Sequence, residues 1–403
     1  MIEYVISFAL AFIISISATP IAKKVAYKIG AVDIPRDNRR IHKKPIARLG
    51  GLAIISGFFV SVLFNVTSTL YGMTSPVSFD SRFTGLVIGS LIIIAVGIID
   101  DVKKLNAKVK FLFQVVAALV AAYSGTRIEI VTNPFSGFEV FQFNNPYVSY
   151  ILTVLWIVGI TNAINLIDGL DGLAAGVSSI SSLSLFFVSV IFKRWDTAIL
   201  TATLAGATLG FLPYNFNPAK IFVGDTGAYF LGYVLSVISI QGTLKSYTAI
   251  AIAIPMLILG LPLFDTIFAI IRRLASGKSI MEADRGHLHH RLMDMGLTQR
   301  QSVLILYIAS SALGLCAIVL ADKGAMSAVI LIIAVAAFVI GGARYMNEIN
   351  INEPSGDNSR VQDKQPEQGR DSEDKADGEE KQVEDSSNSP PEIVLKNPDN
   401  AKS

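Results

Sequence analysis

The sequence predicts an all-α, polytopic integral membrane protein of about eleven transmembrane helices with an acidic tail, and three observations carry that fold class. Of 403 residues, 52% are hydrophobic and only 16% charged, too apolar for an ordinary soluble domain unless the charges are segregated. They are segregated: residues 347–403 hold 7 Lys and Arg against 15 Asp and Glu, leaving 27 against 17 in residues 1–346. The third observation is a series of eleven apolar runs of roughly spanning length, since a helix crossing ~30 Å of hydrocarbon at ~1.5 Å per residue needs about 20 residues. Two regions follow. Residues 1–346 form the membrane-embedded domain. Residues 347–403, rich in Glu, Asp, Ser, Asn, Gln and Pro, have too little apolar surface to offset their ordering entropy and read as a disordered tail.

The runs fall near 2–21, 49–71, 83–100, 109–124, 147–166, 172–192, 196–213, 220–241, 247–271, 303–321 and 325–343. The first lacks a basic leader, and Lys23 and Lys24 follow it where a signal peptide would carry small residues, so it is expected to stay as a helix. Cytoplasmic loops carry the excess of Lys and Arg. The segments after runs 1, 3, 5, 7 and 9, with adjoining helix ends, hold 20 basic residues, against 6 after the even-numbered runs. The N-terminus is therefore expected outside, and the C-terminal tail in the cytoplasm. Cys316, the single cysteine, lies in an apolar run and reads as packing. Asn65-Val66-Thr67 matches a glycosylation sequon but falls within a span, out of reach of modification. No internal repeat of the kind that marks many transporters is evident by eye.

Six acids adjoin or interrupt apolar runs on the expected inner side. Asp100 and Asp101 end the third run, Asp168 and Asp171 lie in the turn "NAINLIDGLDGLAAG", Asp225 opens the eighth run in "FVGDTGAYF", and Asp265 sits in the ninth. Any one could cap a helix or pair with a nearby Lys. Asp265 has a specific structural reading, as partner of Arg272 seven residues on. Carboxylates at membrane depth are costly, however, and usually line a functional cavity. Several on one side, with little His or Cys among them, suit a hard cation, Mg²⁺ or alternatively Mn²⁺, and magnesium commonly holds phosphate. Lys103, Lys104, Lys108 and Lys110, with Arg36, Arg39, Arg40, Lys43, Lys44 and Arg48, suit a polyanionic substrate. Three of the four histidines crowd into "EADRGHLHHRL", beside Asp284, Arg285 and Arg291. Zinc would need further ligands at finger or zincin spacing, and His42 is the one other histidine. The cluster reads better as a binder of phosphate oxygens or an acid for a leaving group.

The strings "DDVKK", "NAINLIDGLDGLAAG", "NFNPAKIFVGDTGAYFLG" and "DRGHLHHRL", in this order over residues 1–345, resemble the polyprenyl-phosphate N-acetylhexosamine-1-phosphate transferases. The resemblance implies Mg²⁺-dependent transfer of a sugar 1-phosphate from a UDP-sugar to undecaprenyl phosphate, with release of UMP, at the start of cell-envelope glycopolymer synthesis such as teichoic acid or lipopolysaccharide. It also implies residue roles. Asp100 and Asp101 would be the pair that activates the lipid phosphate, with Asp101 also in the metal region, and Asp225 the magnesium ligand. Asn215 and Phe222 would bind substrate, Phe222 against uracil. Asp168 and Asp171 would act in catalysis, with Asn162 and Asn165 beside them in substrate binding, toward the nucleoside. His287, His289 and His290 match the histidine motif; His289 and His290 are expected in catalysis, and His287, Arg285, Lys44 and Arg48 in substrate binding. Two departures stand out: Ala228 where many relatives have Ser, and Val102-Lys103-Lys104 where a third acid would follow the first pair.

The "DRGHLHH" form resembles enzymes that use UDP-GlcNAc more than the translocase that uses UDP-MurNAc-pentapeptide, whose motif is a proline-led run of three histidines. The expected partners are therefore a UDP-sugar, a polyprenyl phosphate and the membrane, with no nucleic acid and with a homodimer admitted. The expected location is the bacterial cell membrane, active site facing the cytoplasm. The translocase is the second reading. From another class comes an ion-coupled transporter, which would want its ionisable groups near the midplane, and a scaffold role for the charged tail is compatible with the enzyme.

Overall fold

The computed structural model describes residues 2–35, 44–71, 80–133, 139–142, 145–243, 252–277, 286–324, 326, 327, 329 and 333. The eleventh run lies almost wholly outside the described residues, as do the tail, Arg36, Arg39, Arg40, His42, Lys43, Asp284 and Arg285.

Helices occupy the first eight expected runs and the tenth: α1 (Ile2–Lys28), α2 (Gly51–Leu70), α3 (Ser81–Lys103), α4 (Ala107–Tyr123), α5 (Pro146–Ile167), α6 (Leu173–Ile191), α7 (Trp195–Asn215), α8 (Gly224–Thr243) and α12 (Gln299–Lys323). The ninth run is divided into α9 (Ala253–Ile258) and α10 (Gly260–Ala275). Pro262 explains the break, because its ring clashes with the carbonyl four residues earlier and it offers no N–H, while Gly260 lowers the cost of the turn. A short helix, α11 (Leu288–Asp294), follows in the histidine segment. Seven of the helices, α1, α2, α3, α5, α6, α7 and α12, are long and apolar enough to cross a membrane. The chain is a polytopic helical membrane protein.

The all-helical expectation needs one addition. Two short antiparallel pairs join helices: β1 (Val32–Asp33) with β2 (Ile46–Ala47), and β3 (Ile130–Asn133) with β4 (Glu139–Gln142). The first matters for the site, since pairing Asp33 with Ile46 brings the end of α1 against the approach to α2.

Local signals set many of the helix ends. Asp80 accepts from the Phe83 amide, Asn106 from Lys108 and Asn145 from Tyr147 just before Pro146, while Thr298 and Gln301 close a capping box on α12. In a bilayer, close packing and interhelical hydrogen bonds replace the hydrophobic drive between helices. Gly206 and Gly210 of α7 let α1 approach so closely that a Cβ at either would sit 2.2 or 2.4 Å from the Phe8 or Phe12 carbonyl oxygen. Beside this contact Ser7 donates to Asn65 Oδ1 at 3.0 Å, which holds the sequon asparagine buried inside α2. Helix α8 is the central one. Nearly all its residues are buried, and α3 and α5 pack along it, with Tyr233 donating to the Gly85 carbonyl and Trp156 to Ser239. The end of α8 where Gly224 and Asp225 stand is thereby held at the middle of the bundle.

Candidate active site

The turn into α8 explains why the sequence reads Val223-Gly224-Asp225-Thr226. Gly224 has φ +73°, and a Cβ there would fall 1.7 Å from the Arg48 carbonyl oxygen, so another residue would both strain and collide. The first amides of a helix lack partners within it. Asp101 supplies them: one carboxylate oxygen accepts from the Asp225 amide at 2.9 Å, and the other from the Thr226 amide at 2.9 Å and the Thr226 hydroxyl at 2.6 Å. Capped in this way, α8 turns the Asp225 side chain toward a cavity. There one oxygen accepts from Asn165 Nδ2 at 2.8 Å and the other pairs with Arg48 at 3.3 Å.

The cavity has a volume of about 520 Å³. Its wall includes Asp33, Arg48, Asn165, Asp168, Asp171, Asn215, Asn217, Phe222, Asp225, His290 and Gln299. Asp171 organises one side by accepting from Asn217 Nδ2 and the Ala219 amide, both at 3.0 Å, while Asn217 also donates to Gln299 at 2.7 Å. Asn215 donates to the Ile221 carbonyl at 3.0 Å, and its buried Oδ1, which has no partner among the described residues, is an acceptor that a ligand or water in the cavity would satisfy. Asp168, just past α5, accepts no hydrogen bond among the described residues. Burial, and then the neighbouring charge of Asp225, push its carboxyl well above the usual carboxylate range, with Arg48 opposing.

A second cavity of about 730 Å³ shares Asn165, Asp168, Gly169 and His290 with the first. Its wall is mixed: Lys110, Arg273, Asn162, His287 and His289 at the polar end, with Phe111, Val115, Val154, Val158 and Ile270 beyond. Through Leu155 and Gly159 it adjoins an almost wholly apolar groove of about 540 Å³ between α5 and the α9–α10 segment, lined by Trp156, Met256, Leu263, Phe264 and Ile267 among others. A polar chamber thus shares a wall, at Asp168, with a cavity that adjoins a groove fit for a hydrocarbon chain.

Behind these cavities stands a second row of acids. Asp100, 1% exposed, pairs with Lys110 Nζ at 2.6 Å and accepts from the Leu105 amide at 2.8 Å, while Tyr229 lies 3.4 Å away. Asp265 accepts from the Leu288 amide at 2.8 Å and bonds His287 Nδ1 at 2.9 Å. The partnership considered with Arg272 is therefore replaced by one with the histidine segment, which Asp265 ties to α10. His289 is buried in that segment. Desolvation, then His290, push its imidazole down to about 4, against Asp265, which pulls the other way, so it is neutral near pH 7.

Of the residues expected in the site, Arg48, Asn165, Asp168, Asp171, Asn215, Phe222, Asp225 and His290 meet at the first cavity, and Asn162, His287 and His289 at the second. Asn162 donates to Gln114 at 2.7 Å. Asp100 and Asp101 line neither cavity. Asp101, expected beside the metal, spends its oxygens on the α8 amides instead. Lys44 is exposed and away from both walls. Asp33, Asn217, Gln299 and Arg273 had not been singled out. Asn217 stood within a quoted motif and Arg273 at a basic helix end, whereas Asp33 and Gln299 reach the wall through the β1–β2 pair and α12 and carry no local signal.

Among the described residues no three or more His, Cys, Asp or Glu side chains close into a metal cage. A magnesium site does not require one, since one or two carboxylates plus substrate phosphates commonly suffice. Asp225 and the unbonded Asp168, two hard-oxygen donors that repel across the cavity, fit that need.

The profile of glycosyl transferase family 4 matches residues 83–243. A probable undecaprenyl-phosphate N-acetylglucosaminyl 1-phosphate transferase of Bacillus subtilis is 43% identical over 320 residues, 79% of this chain and 86% of that one. A decaprenyl-phosphate N-acetylglucosaminephosphotransferase of Mycolicibacterium smegmatis is 34% identical, covering 82% and 86% of the two chains. An undecaprenyl-phosphate alpha-N-acetylglucosaminyl 1-phosphate transferase of Yersinia pestis is 26% identical over 78% and 82%.

Proposed function

The chain belongs to glycosyl transferase family 4, and from that membership we infer that it transfers N-acetylglucosamine 1-phosphate to a polyprenyl phosphate, with UDP-GlcNAc as donor and UMP as leaving product. The relatives' names do not favour the pentapeptide translocase, and the transporter reading is set aside with them. The observation that carries the mechanism is the shared wall. Asp168, Asn165 and His290 face both a polar chamber sized for a nucleotide sugar and a cavity that runs into an apolar groove.

In this reading the uracil lies on Phe222 and meets the free Asn215 oxygen, while the pyrophosphate lies between Arg48 and the Asp225–Asp168 pair. The lipid chain occupies the groove along α5, and its phosphate reaches the shared wall beside Lys110 and Arg273. An oxygen of the lipid phosphate attacks the phosphorus that bears the sugar. The bond from that phosphorus to the bridging oxygen breaks, and UMP leaves with the electron pair. Mg²⁺, held by Asp225 and Asp168, would neutralise charge on the phosphates. Phosphoryl transfer asks for little beyond such neutralisation and in-line positioning. Asp101 holds the α8 terminus, and so Asp225, in register. Asp100 holds Lys110 toward the acceptor side, and Asp265 with His287 holds the segment that presents His290.

The finer topology belongs to the same proposal: N-terminus outside, eleven spans, active site and acidic tail in the cytoplasm of a bacterial cell. The basic asymmetry of 20 against 6 supports it. A cysteine placed at Lys104 should label from the cytoplasm and one at Lys193 from outside, and the reverse pattern would overturn the orientation. The donor is tested with purified protein, undecaprenyl phosphate, Mg²⁺ and a panel of UDP-sugars scored for UMP release. UDP-GlcNAc should lead. Faster turnover of UDP-MurNAc-pentapeptide would restore the translocase, and release from no sugar would end the transferase reading.

A further inference from the structure

A concave pocket of about 300 Å³ lies between the inner ends of α1 and α7, sharing no residue with the two cavities of the site. Lys23 and Lys24 come from α1 and Lys220 from the loop before α8, with Thr19, Pro20, Tyr27 and Tyr214 completing the wall. None of the three lysines is in an ion pair with a described carboxylate. Lys220 Nζ lies 5.8 Å from the Tyr214 ring centroid, held over its face. Three ammonium groups around one concavity repel one another, and among the described residues no carboxylate pairs with them. A general excess of cationic loops would account for Lys23 and Lys24, but it requires neither a concave wall nor a third lysine from a separate segment. Ile21 and Val25 are exposed on the same stretch of α1, and tyrosines favour the headgroup level. Phosphate on the lysines with hydrocarbon along α1 describes a phospholipid.

The same loop faces the donor cavity on its other side. Between Tyr214 and Lys220, which touch the pocket, stand Asn215 and Asn217, which line the cavity, and the Lys220 amide donates to the Tyr214 carbonyl at 2.8 Å. Tyr27 donates to the Pro45 carbonyl at 3.2 Å, just before the β2 strand whose Ala47 carbonyl accepts from the Phe222 amide at 2.8 Å. We propose that this pocket binds the headgroup of an anionic phospholipid, and that its occupancy steadies the loop carrying Asn215 and Phe222, so that transfer is faster in an anionic bilayer. The rate effect rests on the transferase reading; the binding does not.

The test uses the full chain in nanodiscs of phosphatidylcholine alone or with phosphatidylglycerol, as wild type, as Lys220→Gln and as the triple variant Lys23→Gln, Lys24→Gln, Lys220→Gln. Phosphatidylglycerol retained per chain is counted by native mass spectrometry, and UMP release is measured in parallel. Each lysine near an anionic headgroup is worth severalfold in affinity. The triple variant should therefore retain phosphatidylglycerol about a hundredfold less well and lose its stimulation, with an unchanged rate in phosphatidylcholine, and Lys220→Gln, about fivefold weaker, should fall between. Equal retention by all three proteins would overturn the site. Unequal retention with equal stimulation would overturn the coupling to the loop. Stimulation by inorganic phosphate in phosphatidylcholine discs would overturn the lipid as occupant, and no UMP release by the wild type would count against the transferase reading while leaving the binding result standing.

Discussion

The two rows of acids at one end of the bundle are made of the same residue type and stand in opposite surroundings. In the rear row, Asp100, Asp101 and Asp265 are almost fully buried, and each holds one part of the wall: Lys110, the α8 terminus or the histidine segment. In the front row, Asp168 accepts no hydrogen bond among the described residues, and Asp225 is held by one amide and one arginine. A buried carboxylate is tolerable once it is paired and bonded. What separates Asp225 from Asp265, which has as many partners, is exposure: the Asp225 side chain is 20% exposed at the cavity, whereas that of Asp265 is 5% exposed and sealed behind the wall.

That contrast can be broken by experiment. The largest effect is expected at Asp225→Asn, which keeps the shape but removes the charge facing the phosphates. Transfer should fall about 10²–10³-fold with the unfolding midpoint unchanged, and retention of more than about a tenth of the rate, ~1.4 kcal/mol of barrier, would remove Asp225 from the front row. Asp101→Asn should differ in kind. Losing the charged acceptor of three hydrogen bonds should cost about 2–4 kcal/mol of stability together with activity, visible as a lower midpoint in thermal unfolding. Asp265→Asn should cost less, about 1–3 kcal/mol, and should expose the segment near His287 to protease while the rest of the chain stays protected. Phe222→Ala sharpens the comparison from the substrate side: the donor KM should rise about tenfold, in line with ~1–3 kcal/mol for stacking a base on an aromatic ring, while the lipid KM holds.

The smallest effect concerns His289. Its folded value of about 4 lies below its unfolded value near 6.5, so between these the unfolded chain binds more protons and stability falls as pH drops through that window. His287, His290 and Asp265 face it and keep their own contributions. His289→Gln should flatten the dependence of the unfolding midpoint between about pH 6.5 and pH 4, and an unchanged slope would show that His289 is charged in the fold.

Spans and motifs were legible because their signals are local. Runs of about 20 apolar residues mark helices by length alone, and acids beside them stand out against hydrocarbon. The break at Leu259 was also written locally, in Gly260 and Pro262, yet a continuous apolar run hid it. What was illegible depends on contacts distant in sequence. Asp101 and Asp225 are both acids at the rim of an apolar run, and only the approach of α3 to the first turn of α8 makes one a cap and leaves the other facing the cavity. Asp33 and Gln299 joined the wall through a two-residue strand pair and a far helix, neither of which has a motif.

The most direct test is the Mg²⁺ dependence of UMP release, compared among wild type, Asp225→Asn, Asp168→Asn and Asp101→Asn. If the front row holds the metal and the rear row holds the fold, Asp225→Asn and Asp168→Asn should raise the Mg²⁺ concentration for half-maximal rate at least about tenfold, ~1.4 kcal/mol. Asp101→Asn should lower the rate and the unfolding midpoint but leave that concentration where the wild type has it. A shift with Asp101→Asn as large as with Asp225→Asn, at an unaltered unfolding midpoint, would contradict the division of the acids into two rows.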